Sequence, residues 1–417
     1  MFSLHETTQR TLCRVLFVAC CALPASAALL WCAYESTPWA AARWEASVAA
    51  PIGGVVEAEG FQRVRPGVLR LDRLRWMPEG AANAVELEAV QISSGGLSAR
   101  NAAIEGGTIR QALLLLGRNT TPGRPMRIRV ASLQVRGESS AETLRDVEVN
   151  ADSGAAGWRV SAAGRCDKQP VRITAAEAGD AVRLTCDCRQ GPVPAWVLGS
   201  LVDRFAGLSD ARFAGRLSVE HRGGATSGEV VGAFADFPLH ALLGKGSPHQ
   251  WQGEGDLILE RVAWADDRLL EAAGAVEAGP GAAGASLLAA ANRSLRCGLR
   301  VQPAGGGVAF DRTAFRFRID AQGIALSGQC PEFPGALLAR GGAAVLTQPP
   351  LERLPIAHLV QTLTAEGGGW VPATRHAQQL ARGLPLPQPE APQERAPSVR
   401  TATRPEQPSL REPATIR

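Results

Sequence analysis

LRLDRLRW (residues 69–76) and VELEAVQI (residues 85–92) carry the rhythm that decides the fold. In each, apolar side chains fall at positions one, three, six and eight: Leu69, Leu71, Leu74 and Trp76, then Val85, Leu87, Val90 and Ile92. A β-strand presents alternate residues to one face, so an interval of three throws its second half onto the opposite face. One extra, bulged residue restores the face and adds twist. Each phrase therefore predicts a bent strand, apolar on one side and polar on the other. The phrase returns in IRVASLQV (residues 128–135) and LILERVAW (residues 257–264), and more weakly through Leu97, Ala99, Ala102 and Ile104. The intervals between copies are unequal and lack an asparagine in register, which argues against a leucine-rich solenoid.

Working outward, plain alternation predicts further strands at Val147/Val149, Trp158/Val160, Val171/Ile173, Val182/Leu184/Cys186/Cys188 and Phe315/Phe317/Ile319. Helices are expected to be few and short: 39–50 along a membrane surface, then 193–205, 238–243, 285–295 and 354–363. The fold class expected is mainly β. A long twisted, mostly antiparallel sheet forms a groove or an incomplete sandwich, and too few helices are available to cover its apolar face.

The chain has 417 residues, with 45 glycines and 28 prolines, 45% hydrophobic residues and a net charge of +4. That glycine and proline content excludes a coiled coil or long helical bundle. The hydrophobic content excludes wholesale disorder. A near-neutral balance of 44 basic and 40 acidic residues does not mark a nucleic-acid binder.

Residues 15–33 carry no charge and reach about 28 Å as a helix, the thickness of a bilayer's hydrocarbon core. Arg10 and Arg14 precede the run and only Arg43 follows closely, which by the positive-inside rule leaves the amino terminus in the cytoplasm. Trp31, Tyr34, Trp39 and Trp44 gather where the run ends, as amphipathic rings do at a membrane interface. Ala25-Ser26-Ala27 offers a competing signal-peptide cleavage pattern. The expected location is the bacterial inner membrane, single-pass, with the bulk of the chain in the periplasm. The expected organisation is a cytoplasmic terminus (1–14), a transmembrane helix (15–33), a juxtamembrane helix (34–54), a β-rich exported domain (55–345), a short helical segment (346–383) and a proline-rich tail (384–417). The tail has few large apolar groups and is expected to be disordered.

The search for chemistry is short. Gly279-Pro280-Gly281-Ala282-Ala283-Gly284 matches G-x-G-x-x-G, but strands surround it rather than a βαβ unit, so a strand-to-helix turn is the better reading. Six histidines are scattered without HExxH spacing, and His240 and His249 are the closest pair. Asp266-Asp267 reads as a hairpin turn. No nucleophile elbow or Walker loop occurs. No catalytic residue, cofactor or metal ligand is expected, and no enzyme is proposed. Of nine cysteines, Cys13, Cys20, Cys21 and Cys32 belong to the apolar segment. Cys166, Cys186, Cys188, Cys297 and Cys330 fall in the exported part, where a bridge from Cys166 to Cys186 or Cys188 and five buried free thiols are both open readings.

The combination of one amino-terminal apolar helix with this strand rhythm resembles a known family. The rhythm runs through VVEAEGFQRVRPGVLRLDRLRW and VELEAVQISSGGLSARNAAIEGGTI, and later through WQGEGDLILERVAWADDRLLEAAGAVEAGPG and FRFRIDAQGIALSGQC. It is similar to that of the AsmA-like proteins of bacterial envelopes, within the repeating β-groove group. The resemblance covers residues 10–345 in rhythm and anchor and transfers no site residue. It implies a non-enzymatic envelope protein whose β-groove binds or moves lipid, with phospholipid acyl chains as ligands. The alternative is an envelope scaffold with a closed sandwich that meets envelope proteins through its tail.

Overall fold

The computed structural model describes residues 6–35, 37–65, 67–137, 140–202, 205, 208, 211–244, 247–266, 268–302, 306–364 and 382–385. The tail 384–417 lies outside the described residues but for its first two, as does most of the segment 364–383. The amino-terminal helix comprises α1 (Glu6–Phe17), a π-turn (Val18–Ala22) and α2 (Leu23–Glu35). The π-turn has a local cause. Pro24 carries no N–H and its ring crowds the preceding turn, so the Leu23 N–H bonds back to the Val18 carbonyl instead. Residues from Arg10 to Tyr34 form a helix long and apolar enough to cross a membrane, its most apolar 18-residue stretch having a mean hydropathy of 2.2 with none of that stretch buried in the protein. Then α3 (Pro38–Ile52) starts at a Thr37 N-cap and ends at Gly53.

The body is mainly β. Its first strands are β1 (Val55–Glu59), β2 (Gln62–Arg65), β3 (Val68–Met77), β4 (Val85–Ser93) and β5 (Gly96–Glu105). A 3-10 turn (Gly106–Thr108) and α4 (Ile109–Asn119) cross over to β6 (Met126–Arg136). An antiparallel meander follows: β7 (Ala141–Gly154), β8 (Gly157–Cys166), β9 (Gln169–Ala178) and β10 (Ala181–Asp187). After β11 (Val193–Pro194) and α5 (Ala195–Gly199) come β12 (Arg212–Arg222), β13 (Ala225–Pro238), a 3-10 turn (Leu239–Leu243) and β14 (Trp251–Gln252). The remaining strands are β15 (Glu254–Ala265), β16 (Arg268–Ala278), β17 (Gly281–Gly284), β18 (Gly298–Leu299), β19 (Gly307–Phe310), β20 (Arg312–Asp320), β21 (Gly323–Gly328), β22 (Ala336–Arg340) and β23 (Ala343–Thr347). Between them lies α6 (Ala285–Ser294), and α7 (Ile356–Leu363) closes the described body. Twenty strands join in one sheet, while β14, β17 and β19 make a small second one. Pairing is antiparallel throughout except for β5 with β6, which the α4 crossover makes parallel.

The repeated phrase does what its spacing predicts, and does it collectively. Along β3 the phrase's Leu69, Leu71, Leu74 and Trp76 are buried, as is Val68 before them, with Asp72 and Arg73 both exposed between Leu71 and Leu74. Opposite them on β4, Leu71 pairs with Val90 and Arg73 with Glu88, so Asp72 and Ala89 are each the extra residue and the register closes without a slip. Ala89 sits at φ +50°, a left-handed conformation. On β5 and β6 the gap falls between Ala99/Val130 and Asn101/Ser132. On β6 and β7 it falls between Val130/Val147 and Ser132/Arg145, leaving Asp146 at φ +52°. Matched extra residues thus form a crease across five neighbouring strands. It ends at β8, where Arg145 pairs with Arg165 but Glu148 with Ala163, a true one-residue shift. The fourth phrase bulges as well: Leu259 pairs with Gly274 but Arg261 with Ala273, which leaves Glu260 unpaired.

Three expectations need correction. One helix lies outside the expected set: α4, whose Ile109, Ala112, Leu113 and Leu116 are buried at helical spacing against β7, β8 and β9. The sheet's apolar face is therefore better covered than expected. In place of the single helix expected over 193–205, the described residues form β11 and the five-residue α5, because Pro194 first pairs in extended form with Arg212. The segment 238–243 is a 3-10 turn rather than an α-helix. Asp266 takes the hairpin turn at φ +49° as expected, and Asp267 lies outside the described residues.

Candidate functional site

The apolar face of β3 to β9 curls around α4. Between helix and sheet remains a cavity of about 150 Å³. Its walls come from many elements: Leu74 and Trp76 on β3, Leu97 and Ile104 on β5, Leu133 on β6, Leu144 on β7, Ala162 on β8, Ile173 on β9, and Leu113 and Leu116 on α4. Among the described residues, Glu142 is the only ionisable one in the lining. One close approach seats α4, and a hydrogen bond ties α3. Gly117 meets the indole of Trp158, and a Cβ there would lie 2.0 Å from Trp158 Cε3. Trp76 Nε1 donates to the Gly53 carbonyl at 2.7 Å, tying the end of α3 to the rim of the sheet.

A second cavity of about 240 Å³ lies in the carboxy-terminal half, between β16, β20 to β23 and the helices α6 and α7. Leu287, Leu288, Phe315, Phe317, Leu338 and Leu359 line it, together with Cys297. Its two threonines spend their hydroxyls on backbone: Thr313 donates to Leu337 O at 2.9 Å and Thr362 to His358 O at 2.7 Å. Trp251 also lines it, with the indole N–H buried and unbonded among the described residues. Both cavities offer hydrocarbon surface with almost no polar partner. An apolar cavity near 150 Å³ stays dry and accepts a small hydrocarbon.

The remaining polar clusters are structural in geometry. Cys166 donates to Glu142 Oε1 at 3.3 Å, with Asp167 alongside. These three could approach a cation, yet Arg212 already serves both carboxylates, at 3.1 Å to Asp167 and 3.9 Å to Glu142. Burial and the neighbouring Glu142 push the Cys166 thiol up to about 12. Cys186 and Cys188 share a buried face, and the Cys186 thiol donates to the Cys188 sulfur, which together with burial raises Cys186 well above its ordinary value. All five body cysteines are free. The bridge from Cys166 to Cys186 or Cys188 is not formed, because β9 separates β8 from β10. Two strand spacings come to roughly 9.5 Å, beyond the Cα separation a disulfide spans.

His240 and His249 do line one surface cleft, together with Gln250 and Glu254. His249 Nδ1 lies 3.0 Å from Ser286 Oγ, which fastens this loop to the start of α6. The G-x-G-x-x-G stretch forms the antiparallel strand β17, paired with β14 and β19, before α6 begins. Gly281 packs where a Cβ would meet Gln252 O at 2.2 Å, so its glycine serves sheet packing rather than a phosphate. No protein-family model, no curated protein and no solved structure matches the chain.

Proposed function

We propose that this protein is held in the bacterial inner membrane by its amino-terminal helix, amino terminus inward, and exposes its β-rich body in the periplasm. There the trough formed by the creased sheet and α4 holds hydrocarbon, in the first instance phospholipid acyl chains, in the service of envelope lipid binding or transfer. One observation carries the reading: the apolar cavity between the creased sheet and α4, walled by side chains from β3 to β9 with only Glu142 ionisable among the described residues. A cavity this apolar gains nothing from water and gains free energy from a ligand's CH₂ groups, about 0.8 kcal/mol for each one buried. The charge asymmetry of Arg10 and Arg14 against Arg43 supports the orientation. The rhythm shared with AsmA-like proteins supports the class of ligand.

A second reading draws on the helices. Because α3, α4, α6 and α7 lie over much of the apolar face, the body also suits a closed scaffold that acts through its outer surface or its tail (384–417). Mass spectrometry of the full chain, extracted gently from membranes, separates the two. Bound phospholipid in the wild type, lost when Ala162→Phe fills the first cavity, supports the trough. Absence of lipid from both proteins defeats it in favour of the scaffold.

A further inference from the structure

The place where the amino-terminal helix meets the body is built as a surface rather than a linker. Thr37 joins α2 to α3 with no slack: its N–H bonds to Tyr34 O at 3.0 Å, its hydroxyl donates to the same oxygen at 2.6 Å, and it accepts from the Ala40 N–H at 3.4 Å. From there α3 divides into two faces. Ala40 and Ile52 are buried, and Trp44 and Val48 pack against the core. The other face presents Trp39, Ala42, Arg43, Ala46, Ser47 and Ala50 to solvent. Trp39 is 81% exposed, more than any other large apolar side chain among the described residues.

The hairpin of β2 and β3 reaches back to the same place. The Arg63 guanidinium lies 5.5 Å from the ring centre of Trp31, on α2, and 5.8 Å from that of Trp44, on α3. Cation–π contacts of this geometry are attractive, and they hold the hairpin tip level with the last turn of the apolar helix. Next to Arg63, Val64 is 61% exposed and Arg65 is exposed also. Of the nearby acids, Glu45 accepts the Ala58 N–H at 3.0 Å, Glu57 pairs with Arg75, and Glu59 lies across from Arg73 in the sheet, while Arg63 is engaged within the protein. What faces outward is cationic and aromatic, in direct continuity with the apolar helix. An apolar ring and an arginine one turn apart are the composition of a helix that lies in a membrane interface.

We propose that Trp39 and Arg43 of α3, together with Val64 and Arg65 of the hairpin that Arg63 holds in place, form a foot that binds the headgroups of anionic phospholipids in the leaflet where α2 ends. The inference rests on the reading of residues 10–34 as a membrane span. It adds that the body stands on the bilayer by its first strands, which fixes the orientation of the trough. Each arginine near an anionic surface strengthens binding by about fivefold.

The test places a photo-reactive benzoyl-phenylalanine at Val64, or as a control at Ile258, 43% exposed on β15. The full chain is reconstituted in nanodiscs of phosphatidylcholine with phosphatidylglycerol as the minority lipid, and adducts are identified by mass spectrometry. Lipid adducts at 64 and none at 258, with phosphatidylglycerol several-fold over its share, are the expected result. The combined Arg43→Gln, Arg65→Gln variant should return the adducts to the bulk lipid ratio. No lipid adduct at 64 from a chain that stays membrane-bound through alkaline carbonate overturns the foot and leaves the anchor standing. Adducts in the bulk ratio in the unsubstituted protein overturn its anionic selectivity. Release by carbonate overturns the anchor, and the foot with it.

Discussion

Gly117→Ala puts the seating of α4 against the sheet to a direct test. In an exposed helix this change is favourable by up to about 1 kcal/mol, since alanine loses less backbone freedom. Here the added Cβ would sit 2.0 Å from Trp158 Cε3, 2.4 Å from Cζ3 and 2.6 Å from Cδ2. Carbon atoms settle at about 3.5 Å, so the indole would have to withdraw by roughly 1.5 Å. Trp158 is 8% exposed and held between α4 and the sheet, with little room to yield. Overpacking of this kind costs about 1–3 kcal/mol, and the rigid ring puts this site at the upper end. After the helix-propensity gain the net loss is about 2 kcal/mol, a fall in Tm of roughly 3 °C for a body of this size. Thermal melts of the detergent-solubilised chain, followed by far-ultraviolet circular dichroism, measure it. Trp158→Leu removes the ring, so the double variant should be more stable than the sum of the single losses allows, by about 1–2 kcal/mol. A Tm that stays level or rises in Gly117→Ala, or strict additivity in the double variant, would refute the seating of α4 against β8.

Other outcomes follow from the crease and the cysteines. Ala89→Val forces a β-branched residue into φ +50° and should cost about 1–2 kcal/mol, whereas Ala89→Gly should hold or raise the Tm; equal effects would mean that residue 89 is not left-handed. Burial and Glu142 push Cys166 up to about 12, and burial does the same to Cys297, so iodoacetamide at pH 8 should alkylate neither in the native protein and both in urea. Because the folded thiols keep protons that the unfolded ones release, stability should fall as pH rises from about 9 toward 12; a flat profile in urea titrations across that range would contradict their burial. Mass spectrometry of unreduced protein should find the five body cysteines free, and a bridge between Cys166 and Cys188 would overturn the β8–β9–β10 order.

The bent strands were legible because their cause is local: a spacing of two, three and two needs one extra residue wherever one face is buried. The joint behaviour of those extra residues was not. No single strand reveals that Asp72 and Ala89 face each other, or that Asp146 continues the line; that depends on the pairing register. α4 was legible in principle, since Ile109, Ala112, Leu113 and Leu116 recur at helical intervals. The unbroken leucines at 113–116, flanked by Gly106, Gly107 and Gly117, hide that period within a plain apolar run. The cavities were the least legible feature, because their walls come from elements spread over more than a hundred residues each. For the cysteines, alternation placed Cys186 and Cys188 on one face, but nearness in sequence overstated the reach of Cys166 across an intervening strand.

The crease also bears on how such a sheet changes length. A bend made by one irregular strand is private to that strand, and a new neighbour would have to be fitted to it. Here each hairpin brings its own half of the bend at the same level as the next, as β3 and β4 show through Asp72 and Ala89. A duplicated hairpin would arrive already curved to match and already sorted into its wet and dry sides. Losing one residue from a single strand, by contrast, would set half of it facing the wrong way against two unchanged partners. The architecture tolerates growth by whole hairpins and resists editing by single residues.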